Sequence, residues 1–111
     1  MVREIIAYGN HYQAFMSSLT ESEQLKIRRA LLLFSDNVNI PVHYIKYIER
    51  GIYEFRVTHI NKEFRIFFTY DGNRLVILFN ALCKKTRKIP RVEIEKAIKL
   101  REAYFKEKKH E

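Results

Sequence analysis

The stretch Tyr53-Glu54-Phe55-Arg56-Val57-Thr58, followed closely by Phe64-Arg65-Ile66-Phe67-Phe68-Thr69-Tyr70, decides the fold. In the first run Tyr53, Phe55 and Val57 share one side and Glu54, Arg56 and Thr58 the other. That is the period of two expected of a half-buried strand, opened here by Gly51. In the second run Phe64, Ile66, Phe68 and Tyr70 alternate with Arg65, Phe67 and Thr69, and the polar residues 59–62 between the runs read as a turn. Asp71-Gly72 is a hairpin signal, because glycine accepts the positive φ that such turns need. A third strand, Arg74 to Leu82, contains Leu75-Val76-Ile77-Leu78-Phe79. That run is apolar on both faces, which places the strand centrally in the sheet.

Upstream, residues 4–8 form a short apolar run suited to a first strand. His11 to Leu19 reads as a short helix with Ala14 and Phe15 toward the core. Thr20-Glu21-Ser22-Glu23 matches a capping box, in which Thr20 accepts from the Glu23 backbone N–H and Glu23 reaches back. The helix it starts has Leu25, Leu32 and Phe34 among its apolar positions and fades at Asp36-Asn37, residues that favour turns. Pro41 marks a connection, and residues 43–49 are too mixed to assign. Downstream, Pro90 suits the first position of a helix whose stripe is Ile94, Ala97, Ile98 and Phe105, with Lys108-Lys109 near its C-terminus. The predicted order is β-α-α-β-β-β-α. The fold class is α+β, with a small, mainly antiparallel four-stranded sheet and helices packed on one face.

The 111 residues suffice for one domain spanning residues 1–111, and the 47% apolar content supports one packed core. No repeat or low-complexity linker interrupts the chain. The single cysteine, Cys83, cannot form an internal disulfide, which fits a reducing cytoplasm. Arg3 and Glu4 and the lack of a long apolar run argue against a secretory signal, and no stretch nears the roughly 18 apolar residues of a membrane helix. Residues 1–40 hold four basic and four acidic side chains, whereas residues 41–111 hold seventeen and nine. The whole net charge of +8 thus sits in the second part, a field that favours a polyanion.

Arg56 and Arg65 fall on the polar faces of two adjacent strands. The third strand runs into Lys84-Lys85-Thr86-Arg87-Lys88-Ile89-Pro90-Arg91, five cations in eight residues with no acid. Taken alone, each arginine reads as a solvated strand residue and the run as a soluble loop. Together on neighbouring strands they predict a cationic hollow. Arginine grips phosphate oxygens with a planar fork, and lysine adds a mobile point charge. RNA carries its own nucleophile, the ribose 2′-OH, so cleaving it requires positioning, proton transfer and cation density rather than a protein nucleophile. The four histidines lack zinc-ligand spacing, the three glycines form no phosphate loop, and no metal or cofactor is expected.

Gly51-Ile-Tyr-Glu-Phe-Arg56, Phe64-Arg65-Ile-Phe-Phe, Leu78-Phe-Asn-Ala-Leu-Cys-Lys-Lys-Thr-Arg-Lys-Ile-Pro90, Glu93-Ile94 and Ala97 resemble the HigB branch of the RelE/ParE toxin superfamily, which includes phage-derived host-killing-like proteins. The resemblance covers about residues 46–104 and is weaker before residue 35. It implies a compact antiparallel sheet with two helices after the first strand. It also implies a metal-independent, cofactor-free endoribonuclease that cuts messenger RNA on the translating ribosome, leaving a cyclic phosphate and a free 5′-hydroxyl. The implied partner is an antitoxin, of helix-turn-helix HigA-like type. By position, the resemblance makes Arg65 the phosphate-contacting arginine and Arg56 a basic residue of the family's second strand. Lys85, with Lys84 beside it, then stabilises the transition state or the leaving group.

Arg87, Lys88 and Arg91 are the implied contacts to RNA or ribosome. Glu54, where the RelE pattern has lysine, serves either as general base or as an ion-pair partner of Arg56, the pairing being preferred. The family's C-terminal acid/base tyrosine or histidine has no counterpart at Arg91-Val92-Glu93. Tyr104, His110 and His59 are the residues left for that role. Two other readings stay open on the same residues: a ParE-like gyrase inhibitor, and a non-catalytic nucleic-acid-binding module.

Overall fold

The computed structural model describes residues 1–85 and 87–109. Its elements are β1 (Glu4–Ala7), α1 (His11–Ser17), α2 (Glu21–Asp36), a single 3-10 turn (Val42–Tyr44), β2 (Ile45–Glu49), β3 (Ile52–His59), β4 (Lys62–Asp71), β5 (Leu75–Lys84) and α3 (Arg91–Lys109). The sheet order is β1-β5-β4-β3-β2, antiparallel throughout except for the parallel pair β1–β5.

The sheet therefore has five strands rather than the four expected. The extra one is β2, in the stretch whose sequence shows no clean alternation. Lys46 and Tyr47 are exposed and Ile45 and Ile48 only half-buried, as befits an edge strand. A second correction concerns the layers. Helices cover both faces, not one. Phe55, Val57, Phe64, Ile66, Phe68, Val76 and Leu78 pack against Met16, Ile27, Ala30 and Phe34 from α1 and α2. Ile52, Phe67, Ile77 and Phe79, of opposite parity, pack against Ala97 and Ile98 of α3. Strands apolar on both faces need cover on both, and burying one phenylalanine contributes roughly 1.5–3 kcal/mol.

The capping box forms as read: Glu23 N donates to Thr20 Oγ1 at 3.2 Å and Thr20 N to Glu23 Oε1 at 2.9 Å. The core stripe of α2 is Ile27, Ala30 and Phe34, while Leu25 and Leu32 are 45% and 59% exposed, contrary to their expected role. Similarly, α1 buries Met16 and exposes Ala14. At the other end of α2, Arg3 donates to the carbonyls of Phe34 and Asn37, and Ser35 Oγ donates to Arg3 O at 2.8 Å. The Arg3 guanidinium thus satisfies the Phe34 carbonyl of the last helical turn and the carbonyl of the C-cap residue Asn37, and the three bonds together fix the start of β1 beside the helix end. In β5, a bulge opposite Ile66 and Phe68 turns Asn80 toward α3, where its Nδ2 donates to Glu93 O at 3.0 Å. No helix among the described residues is long and apolar enough to cross a membrane.

Candidate functional site

The β3–β4 register sets Arg56 directly opposite Arg65, and the β4–β5 register sets Glu63 opposite Lys84. Alternation gives Glu54, Arg56, Glu63, Arg65 and Lys84 the same face of the sheet, the one on which α3 packs. Like charges directly across a strand pair are destabilising unless compensated. The compensation is Glu54. Its Oε1 lies 3.5 Å from Nε of Arg56 and 3.5 Å from Nε of Arg65. Glu63 adds a second carboxylate, accepting from Arg65 Nη2 at 3.2 Å.

Burial separates the two arginines. The Arg56 side chain is 35% exposed, that of Arg65 only 4%. Reading Arg65 as a solvated strand residue is thus corrected: its side chain is almost wholly withdrawn from solvent. Its Nε makes no hydrogen bond among the described residues and is held by charge alone. Glu54, also buried, is committed to two guanidiniums and is the pairing partner rather than a free carboxylate. The preferred Glu54–Arg56 pairing forms, with its carboxylate end buried and its guanidinium end partly exposed.

Beyond Phe55 the strand β2 has ended, so Arg56, Val57 and Thr58 leave an open edge on β3. A cleft of about 370 Å³ lies along it, lined by Lys26, His43, Tyr44, Arg56, Val57, Thr58, Glu63 and Arg65. That volume is within the usual range of small-molecule sites, roughly 300–1,000 Å³. The 3-10 turn forms one wall. Tyr44 N donates to Pro41 O at 3.1 Å, and the Tyr44 ring stacks on Phe55 with centroids 5.5 Å apart. His43 rides on this anchored turn, its ring 4.3 Å from that of Tyr44.

The remaining candidates scatter. Lys84 is the last residue of β5 and half-buried, and Lys85 lies just past the strand, exposed. Arg87 and Lys88 are exposed on the connection to α3. Arg91 pairs with Glu49 through both terminal guanidinium nitrogens, which ties the start of α3 to β2, and its Nε donates to Glu95 Oε1 at 2.9 Å. That pair holds the Glu49 carboxyl below the usual carboxylate range.

His59, expected as a proton donor, does not join the cluster. It registers with Lys62 and borders a separate hollow with Thr20 and Glu23, on the face covered by α1 and α2. Tyr104 is also misplaced for the role. Its hydroxyl donates to Asp71 Oδ2 at 2.6 Å, six residues and so roughly 20 Å along β4 from Arg65. His110 and Thr86 lie outside the described residues.

Sequence reading missed Lys26 and His43, which meet the arginines only because the 3-10 turn and α2 fold back beside β3. His43 lay at the start of the unassigned stretch, and Lys26 read only as a polar position of α2. Among the described residues no three His, Cys, Asp or Glu side chains converge as a metal-binding group.

Residues 14–102 match the family described as phage derived protein Gp49-like (DUF891), which is associated with RelE/HigB-like toxins of toxin–antitoxin systems. No curated protein matches the chain.

Proposed function

The chain belongs to the Gp49-like family, and from that premise we propose that it is a HigB-like toxin that cleaves messenger RNA on the translating ribosome and is neutralised by a cognate helix-turn-helix antitoxin. The observation that carries this reading is the Arg56–Arg65 cross-strand pair, braced by buried Glu54 and opening on the cleft. Arg56, the exposed member, grips the scissile phosphate. Arg65 stands behind it in a less polar setting, where its charge is less screened and its position is fixed before RNA arrives.

Lys84 and Lys26 extend the positive field along the RNA backbone, and Lys85, Arg87 and Lys88 widen it toward the ribosome. Arg91, already committed to two glutamates, contributes by holding the start of α3 more than by contacting RNA. Glu54 acts as the brace. The nucleophile is the ribose 2′-OH, and the chemistry calls on the chain for geometry, charge stabilisation and a proton acceptor.

The test is cleavage of a defined messenger on translating ribosomes, mapped by primer extension, with growth arrest scored in parallel. Wild-type protein should cut within codons and arrest growth. Arg56→Gln should bind ribosomes but lose about two to three orders of magnitude in rate, as removal of one transition-state donor does. Growth arrest with intact transcripts and inhibited gyrase would replace this reading with the ParE-like one.

A further inference from the structure

We infer that His43 is the general base of this site, a role that rests on the nuclease reading above. The cleft contains few groups able to accept a proton. Lys26, Arg56 and Arg65 are cations. Glu63 faces the same space but is bound to Arg65 Nη2 at 3.2 Å. Glu54, behind the arginines, is shared between two guanidiniums. The Tyr44 phenol belongs to a ring stacked on the core residue Phe55. His43 alone among the lining residues is an exposed imidazole, the side chain that changes charge between pH 5 and 8 when unperturbed.

Its placement is rigid for structural reasons. Pro41 starts the 3-10 turn, Tyr44 pins it by the bond to Pro41 O and by stacking on Phe55, and His43 is the residue between. A base must lie within hydrogen-bond reach of the proton it takes, and an anchored turn meets that demand better than a free loop. The charged groups that line the cleft together with His43 are Lys26 from α2, Arg56 from β3, and Glu63 and Arg65 from β4.

In the step, the imidazole takes the proton of the 2′-hydroxyl as the O2′–P bond forms. The P–O5′ bond breaks and its electron pair goes to the 5′ oxygen, which takes a proton from water. The imidazolium then returns its proton to the hydroxide so formed. The products are a 2′,3′-cyclic phosphate and a 5′-hydroxyl end.

The experiment compares wild type, His43→Ala, His43→Gln and the control His11→Asn on translating ribosomes, from pH 5.5 to 8.5, with and without added imidazole. Wild type should show an acidic limb, its rate falling about tenfold per pH unit once the base is protonated. His43→Ala should lose 10²–10⁴-fold in rate with RNA affinity unchanged, lose that limb, and regain at least tenfold with imidazole. His11→Asn should match wild type. An active wild type with a His43→Ala variant of equal rate and pH profile overturns the role of His43 and leaves the nuclease reading standing. A His43→Ala variant that loses rate and RNA affinity together, keeps the limb and ignores imidazole assigns His43 to binding and also overturns the proposal. Wild type without cleavage overturns both readings.

Discussion

Replacing Glu54 by alanine strands two guanidiniums, one of them buried. Glu54 lies 3.5 Å from both Arg56 and Arg65, and its side chain and that of Arg65 are only 5% and 4% exposed. Removing one partner of a buried ion pair costs about 3–5 kcal/mol, because the other charge is left desolvated. Arg65 keeps Glu63 at 3.2 Å, but that carboxylate is half exposed and shielded by water. The expected loss is therefore at the lower end, about 3 kcal/mol, which for a domain of this size lowers Tm by roughly 10 °C. Urea unfolding followed by circular dichroism at pH 7 measures it.

The double variant Glu54→Leu/Arg65→Leu, measured beside the single variants Glu54→Leu and Arg65→Leu, separates the cause. Well-packed apolar replacements of a buried pair are often neutral, so the double variant should lie within about 1 kcal/mol of wild type. The coupling between the two sites is then about 2 kcal/mol or more. Arg56, being partly solvated, tolerates the loss. A Glu54→Ala variant within about 0.5 kcal/mol of wild type, or a double variant as unstable as the summed singles, would refute the claim that Glu54 compensates the buried charge of Arg65.

Glu23 accepts from Lys62 and from the Thr20 backbone N–H, which lowers its carboxyl from 4.5 to about 2. A depressed folded-state value means that its contribution is complete above 4.5 and is lost as pH falls toward 2, so Glu23→Gln should flatten the acid limb of a stability-against-pH curve in that window. Gly51 sits at φ +80°, and a Cβ there would lie 2.5 Å from the Arg101 guanidinium, which itself donates to Thr69 Oγ1 at 3.0 Å. Gly51→Ala should cost about 1–2 kcal/mol by the same unfolding assay, from left-handed strain and displacement of Arg101. Phe34, fully buried and stacked on Phe55 at 5.2 Å, should cost about 3–5 kcal/mol when replaced by alanine, without altering the pH dependence of unfolding.

Local information carried much of this molecule. The capping box at Thr20–Glu23, the alternation through β3 and β4, the Asp71-Gly72 turn and the apolar run of β5 depend on neighbours in sequence, and all of them were legible. The charge asymmetry toward residues 41–111 and the motifs around Arg56, Arg65 and Lys84-Lys85 were legible for the same reason, and they pointed to a toxin family before any contact was known.

What the tertiary structure decided depends on residues distant in sequence. β2 owes its strand to an edge position beside β3, since Lys46 and Tyr47 break the pattern that a buried strand would show. Helices on both faces follow from where α3 returns, not from any property of α3 alone. Arg65 and Glu54 look like surface residues in sequence because alternation reports which side a residue faces, never what covers that side. His43 and Lys26, seventeen residues apart, meet Arg56 only when the 3-10 turn and α2 close on the open edge of β3. Pattern encodes local geometry, whereas burial and convergence are properties of the assembled chain.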